Sequence, residues 1–179
     1  MEMEFHTGQF LWGAFIFAIV PSVVILIPLM IGAWNIKSQW AKKPFPLIGM
    51  AMAFISGILS AGLWLSWNSD SPIPHYFQRG APTQFPAWQI IGCGATVVIL
   101  SALILIKYSR HRNVLSCATV ITTAGFTTAY AHAASFGVST QEAVGVFLSY
   151  IGINLLLLVS NGICLGVIKW REPRKSNQG

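Results

Sequence analysis

The chain has 179 residues, 54% of them hydrophobic and only 9% charged, with a formal net charge of +6 at pH 7. That balance is the composition of a polytopic membrane protein. The positive charge is dispersed over three short segments beside apolar runs, which fits membrane topology and anionic lipid head groups and argues against nucleic-acid binding.

Windows of about 19 residues, sufficient for a roughly 30 Å hydrocarbon core, predict five helical spans. They lie at 10–33, 46–67, 88–106, 114–136 and 143–168, in a single membrane domain covering 1–179. In the first span, Glu2 and Glu4 stand where a signal peptide would carry basic residues, and the apolar run continues to Ala33 without a small-residue cleavage site. The span is therefore expected to be retained. Pro21 and Pro28 fall on nearly one face of it, and each removes a backbone donor and should bend the helix.

The second span carries Ala53, Gly57 and Ala61 at i, i+4 and i+8, a small-residue stripe that lets another backbone approach closely. After it comes the longest extramembrane piece, an outer loop over 68–87 with Pro72, Pro74, Pro82 and Pro86. Prolines at that density favour extended and turn conformations. Tyr76, Phe77 and Phe85 would fold this loop over the bundle as a lid or docking surface. Asp70, Ser71 and His75 are close in sequence but lack the base-and-orienter arrangement a nucleophilic site requires.

The fourth span raises the main question, because the stretch ITTAGFTTAYAHAASFG sets four threonines, a tyrosine and a histidine in an otherwise apolar helix. Thr119, Thr123, Thr127 and Tyr130 share one face by i+4 and i+3 spacing; Asn154 and Asn161 share one face of the fifth span. With the two spans antiparallel, Thr127 falls level with Asn154, Thr119 with Asn161, and His132 with Ser149. These faces are expected to meet in a ladder of interhelical hydrogen bonds, or else to line a path for a small neutral solute. Gly162 and Gly166 repeat the small-residue pattern in the fifth span, where it would serve a neighbouring helix or a second subunit. Beyond it runs a basic tail, 169–179.

Ten of the eleven lysines and arginines lie in the segments 34–45, 107–113 and 169–179, whereas Arg79 and four of the five acids lie on the opposite side. The N-terminus is then outside and the C-terminus cytoplasmic. Trp12, Trp64, Trp67 and Trp88 fall at outer span ends, and Trp34, Trp40 and Trp170 at or beyond inner ends, as interfacial indoles should.

Chemistry is sparsely signalled. No Asp, Glu, Lys or Arg lies deep in a span, which argues against an ion-coupled pump. Cys93, Cys117 and Cys164 have no paired spacing and read as packing residues. Nucleotide-binding and HExxH fingerprints are absent, and no cofactor is expected. His6, His75 and His132 all map outside and make a weak candidate metal site; bis-histidine haem would need a second histidine at membrane depth. The reading that follows is a non-catalytic multi-pass protein of the plasma membrane, by default a bacterial inner membrane. It would act as a small subunit or accessory protein, its partners being lipid and another membrane protein or a second copy. A small passive transporter using the polar face is the alternative, and an outer-face metal or redox protein the second.

Overall fold

The computed structural model describes residues 5–35, 43–67, 84–136 and 139–171. Thr7–Ala14 forms α1, Phe15–Ile19 is a π-helical stretch, and Val20–Asn35 forms α2; the three run on as the first span. The other long helices are α3 (Leu47–Leu65), α4 (Ala87–Lys107), α5 (Val114–Ala134) and α6 (Ser139–Arg171). Five segments are long and apolar enough to cross a membrane: Thr7–Pro28, Leu47–Leu65, Ala87–Lys107, Val114–Ala134 and Val144–Arg171. The fifth helix starts at Ser139, four residues ahead of the expected boundary, its first turn being too polar for a hydropathy window to include.

The π-helical stretch has a local cause. Pro21 offers no N–H, and its ring presses on the carbonyl four residues back, at Phe17 inside the widened turn. Pro28 is carried within α2. Prolines also start helices here: Pro46 and Pro86, in extended conformation with ψ of 151° and 147°, stand directly before α3 and α4.

The turn from α4 to α5 is tight. Asn113 enters α5 with φ of 57°, a left-handed conformation that asparagine tolerates better than branched residues. Beside it, His111–Arg112 pairs in parallel with Lys43–Pro44, so this turn is tied to the entry of α3. Phe45 packs edge-on against Tyr108 there, with ring centroids 5.4 Å apart. All six described lysines and arginines, at 43, 107, 110, 112, 169 and 171, gather at this end of the bundle.

Helix α5 is the centre of the bundle and contacts α1, the π-helical stretch, α2, α3, α4 and α6. It is also the least apolar span, with a mean hydropathy of 1.3 against 1.8–2.6 for the others, and the most enclosed, at 67% buried against 11–33%. The two facts have one cause. A helix shielded from lipid by its neighbours gains nothing from aliphatic side chains that those neighbours would have to accommodate, and small or hydroxylated residues let them come close.

The closest approach is between α3 and α5. A Cβ added to Gly57 would overlap the Thr122 carbonyl oxygen and lie 2.6 Å from the Phe126 amide; one added to Gly125 would overlap the Phe54 carbonyl oxygen. Ala53 and Ala61 of the same stripe are buried. The first span leans on α5 through Gly13, whose position faces Ala131, and on α6 through Ser22, whose hydroxyl lies 3.1 Å from the Tyr150 hydroxyl. Ser22 also donates to the Ala18 carbonyl at 2.6 Å, leaving Tyr150 to donate to Ser22. Tyr150→Phe should remove only the interhelical bond and lower stability by about 0.6 kcal/mol, read as a small drop in melting temperature in detergent; no drop would mean the pair is a contact without energetic weight.

Candidate functional site

The polar residues of α5 and α6 converge on a node shared by three helices. Asn161, fully buried, donates through Nδ2 to the Ser101 hydroxyl of α4 at 2.8 Å and to the Thr119 hydroxyl of α5 at 3.1 Å. Ser101 and Thr119 are buried as well. One carboxamide thus joins α4, α5 and α6 by neutral hydrogen bonds, which suits a bilayer interior where ions are costly.

The other polar residues behave differently. Thr123 returns its hydroxyl to the Thr119 carbonyl at 2.9 Å and Thr128 to Ala124 at 2.8 Å, satisfying themselves within α5. Ser149 does the same toward Val146 at 2.7 Å. Tyr130 lies against Gly145 of α6, where an added Cβ would stand 3.5 Å from its hydroxyl. Asn154 Nδ2 and Thr127 Oγ1 are buried without a hydrogen-bond partner, as is Asn161 Oδ1. In the expected ladder the Asn161–Thr119 rung is formed, and the Asn154–Thr127 rung is not hydrogen-bonded.

Ser101 was not among the residues singled out from sequence, although it is the one hydroxyl in the aliphatic run VVILSALILI. Ser22 and Tyr150 were missed for a related reason: α6 and the first span were read separately, and a serine four residues after Ala18 looks self-satisfied.

A second polar cluster closes α3 against α4 at the opposite end from the basic residues. Gln89, fully buried, donates through Nε2 to the Trp64 and Trp67 carbonyls, the latter at 2.6 Å, so the carboxamide holds one carbonyl in the last turn of α3 and one just beyond its end. Trp64 donates to Thr96 at 2.9 Å, and its ring covers Gly92 so closely that an added Cβ would sit 2.7 Å from it. Trp88 stacks near both Trp64 and Trp67, each at 6.1 Å between centroids.

His132 sits in an aromatic group with Phe5, Phe10 and Phe136, at centroid distances of 5.2, 5.6 and 5.7 Å. Close by, the His6 amide bonds the Ser135 carbonyl at 3.0 Å, so the start of the first span is pinned to the end of α5. The third histidine of the candidate metal site, His75, lies outside the described residues with most of the loop 68–87. Among the described residues, no three His, Cys, Asp or Glu side chains gather as a metal site.

Gly162 and Gly166 have nothing within 4 Å of an added Cβ. Unlike the stripe at Gly57, theirs is not covered by any described part of the chain.

Five segments of spanning length around a shielded polar centre define a multi-pass, helical membrane protein. Comparison with protein-family models, curated proteins and solved structures gives no match, so the function has to be argued from this geometry alone.

Proposed function

We propose that this chain is a non-catalytic membrane protein that acts as a small subunit or accessory component, by contact with the transmembrane helix of another membrane protein. It sits in a plasma membrane, by default a bacterial inner membrane, with the N-terminus outside. The grouping of the described lysines and arginines at one end of the bundle supports that orientation under the positive-inside rule.

The observation that carries the contact reading is the unequal fate of two like-spaced stripes. Gly57 is filled to overlap by α5, whereas Gly162 and Gly166 face open space on a span only 11% buried. They flank an exposed apolar ridge of Leu155, Val159, Ile163 and Val167. Small residues beside an aliphatic ridge admit a second helix at short range. Its partner surface is apolar and helical.

The test is purification from native membranes in mild detergent, comparing the native chain with a Gly162→Leu/Gly166→Leu double variant. A stoichiometric membrane protein, or a second copy, should be retained by the former and lost from the latter, at unchanged melting temperature. A native chain that purifies as a monomer without a partner would sink the proposal.

A further inference from the structure

Buried polar atoms without partners are costly anywhere and more so at membrane depth, where lipid offers no substitute. Among the described residues they are Gln89 Oε1, Thr122 Oγ1, Thr127 Oγ1, Asn154 Nδ2 and Asn161 Oδ1. Gln89 belongs to the tryptophan end of α3 and α4, and Thr122 to the face that meets Gly57. Of the remaining three, Asn161 bonds across the α5–α6 seam, Asn154 shares its face of α6 by a seven-residue spacing, and Thr127 shares the Thr119–Thr123 side of α5 by i+4 spacing.

Two contacts fix the register of that seam: Asn161 with Thr119 and Gly145 with Tyr130. The helices are antiparallel, and linear interpolation between the contacts places Asn154 level with about residue 124 of α5. Asn154 then lies between the levels of Thr123 and Thr127, one heptad, or roughly 10 Å, from Asn161. Thr127 is completely buried yet does not return its hydroxyl to the helix as Thr123 and Thr128 do. An unused donor on Asn154, an unused acceptor on Asn161 and a hydroxyl capable of both roles line one side-by-side seam.

We infer that the α5–α6 seam at Asn154 and Thr127 is a binding site for a small uncharged molecule carrying both a hydrogen-bond donor and an acceptor: water, or a neutral solute of amide type. The charge state follows from the lining. No lysine, arginine, aspartate or glutamate lies in Val114–Ala134 or between Val144 and Ile168, so an ion would be left uncompensated, and the amide N–H of Asn154 repels a cation. The inference is independent of the partner contact at Gly162, which lies on another face of α6.

Radiolytic footprinting of the detergent-solubilised chain in ¹⁸O-labelled water, together with equilibrium binding of ¹⁴C-urea, tests it. Phe126 and Leu157, buried in one cluster beside the seam, report on bound water. Label at these two residues identifies water; saturable urea binding without label identifies the amide-type solute. Either signal should fall several-fold in Thr127→Val, which keeps the shape of the side chain, and the melting temperature should drop because the bound molecule loses a partner. Asn154→Leu is the second variant. A native chain that shows neither label nor urea binding overturns the inference, as does a Thr127→Val variant that melts higher than the native chain, the result expected when an unpaired hydroxyl is simply removed from a dry seam.

Discussion

Gly125→Leu, and separately Gly57→Leu, should prevent the bundle from reaching its native packing, whereas Gly162→Leu should leave its stability intact. At the first two positions the atoms in the way are backbone: the Phe54 carbonyl for Gly125, and the Thr122 carbonyl and Phe126 amide for Gly57. Backbone cannot rotate aside as a side chain can, so α3 and α5 must separate over the whole crossing. Overpacking in a soluble core costs about 1–3 kcal/mol, and a forced separation of the central helix from its principal neighbour belongs at or above that upper bound. Even alanine at either site meets the same atoms. Thermal melting in detergent, with the recovered fraction of monodisperse protein, reads the difference. Equal behaviour of the Gly57, Gly125 and Gly162 variants would show that the α3–α5 crossing is not the bundle's organising contact.

Asn161→Leu should be the most damaging exchange of a polar residue in the described bundle. It removes both bonds of the three-helix node and strands the Ser101 and Thr119 hydroxyls in a buried setting. Interhelical bonds in membranes average about 0.6 kcal/mol, rising to about 1.7. Two such bonds and two stranded hydroxyls make a loss of about 1–3 kcal/mol reasonable. Both bonds depend on one carboxamide, so the loss should be coupled: in a double-mutant cycle, Asn161→Leu and Ser101→Ala should cost less together than the sum of the two single changes. Strict additivity would mean that Asn161 stabilises the fold by packing volume and not through its carboxamide.

How much of this was legible beforehand depends on whether a feature is periodic along one helix or arises between two. The five spans follow from hydropathy alone, and their ends moved by only a few residues because Pro46 and Pro86 mark the starts of α3 and α4 in the sequence itself. The stripe at Ala53, Gly57 and Ala61 was visible by its spacing, but its partner Gly125 was not: a single glycine in a threonine-rich helix gives no periodicity to detect. The polar face of α5 could be seen, and depth matching placed Thr119 opposite Asn161 correctly. The same matching could not tell that Thr123 satisfies itself within its helix while Thr127 does not, since that choice is made by side-chain rotation. Nor could it find Ser101, because α4 has one hydroxyl at that depth and a lone serine shows neither face nor partner. The π-helical stretch before Pro21 was anticipated only as a bend; the widening that makes room for the ring is decided by the backbone.

The modest apolarity of α5 has a consequence for how the chain is made. A nascent segment enters the bilayer according to its own transfer free energy, to which every threonine contributes unfavourably. With a mean hydropathy of 1.3, α5 is the weakest candidate of the five to partition by itself. The strongly apolar first span, α3 and α4 all leave the ribosome before it and supply the surfaces that cover it, and α6, which brings Asn161, follows at once. Synthesis order and burial order thus agree: the helix least able to insert unaided arrives after three of its neighbours and just before the fourth. Its membrane residence is a property of the assembled bundle more than of its own sequence.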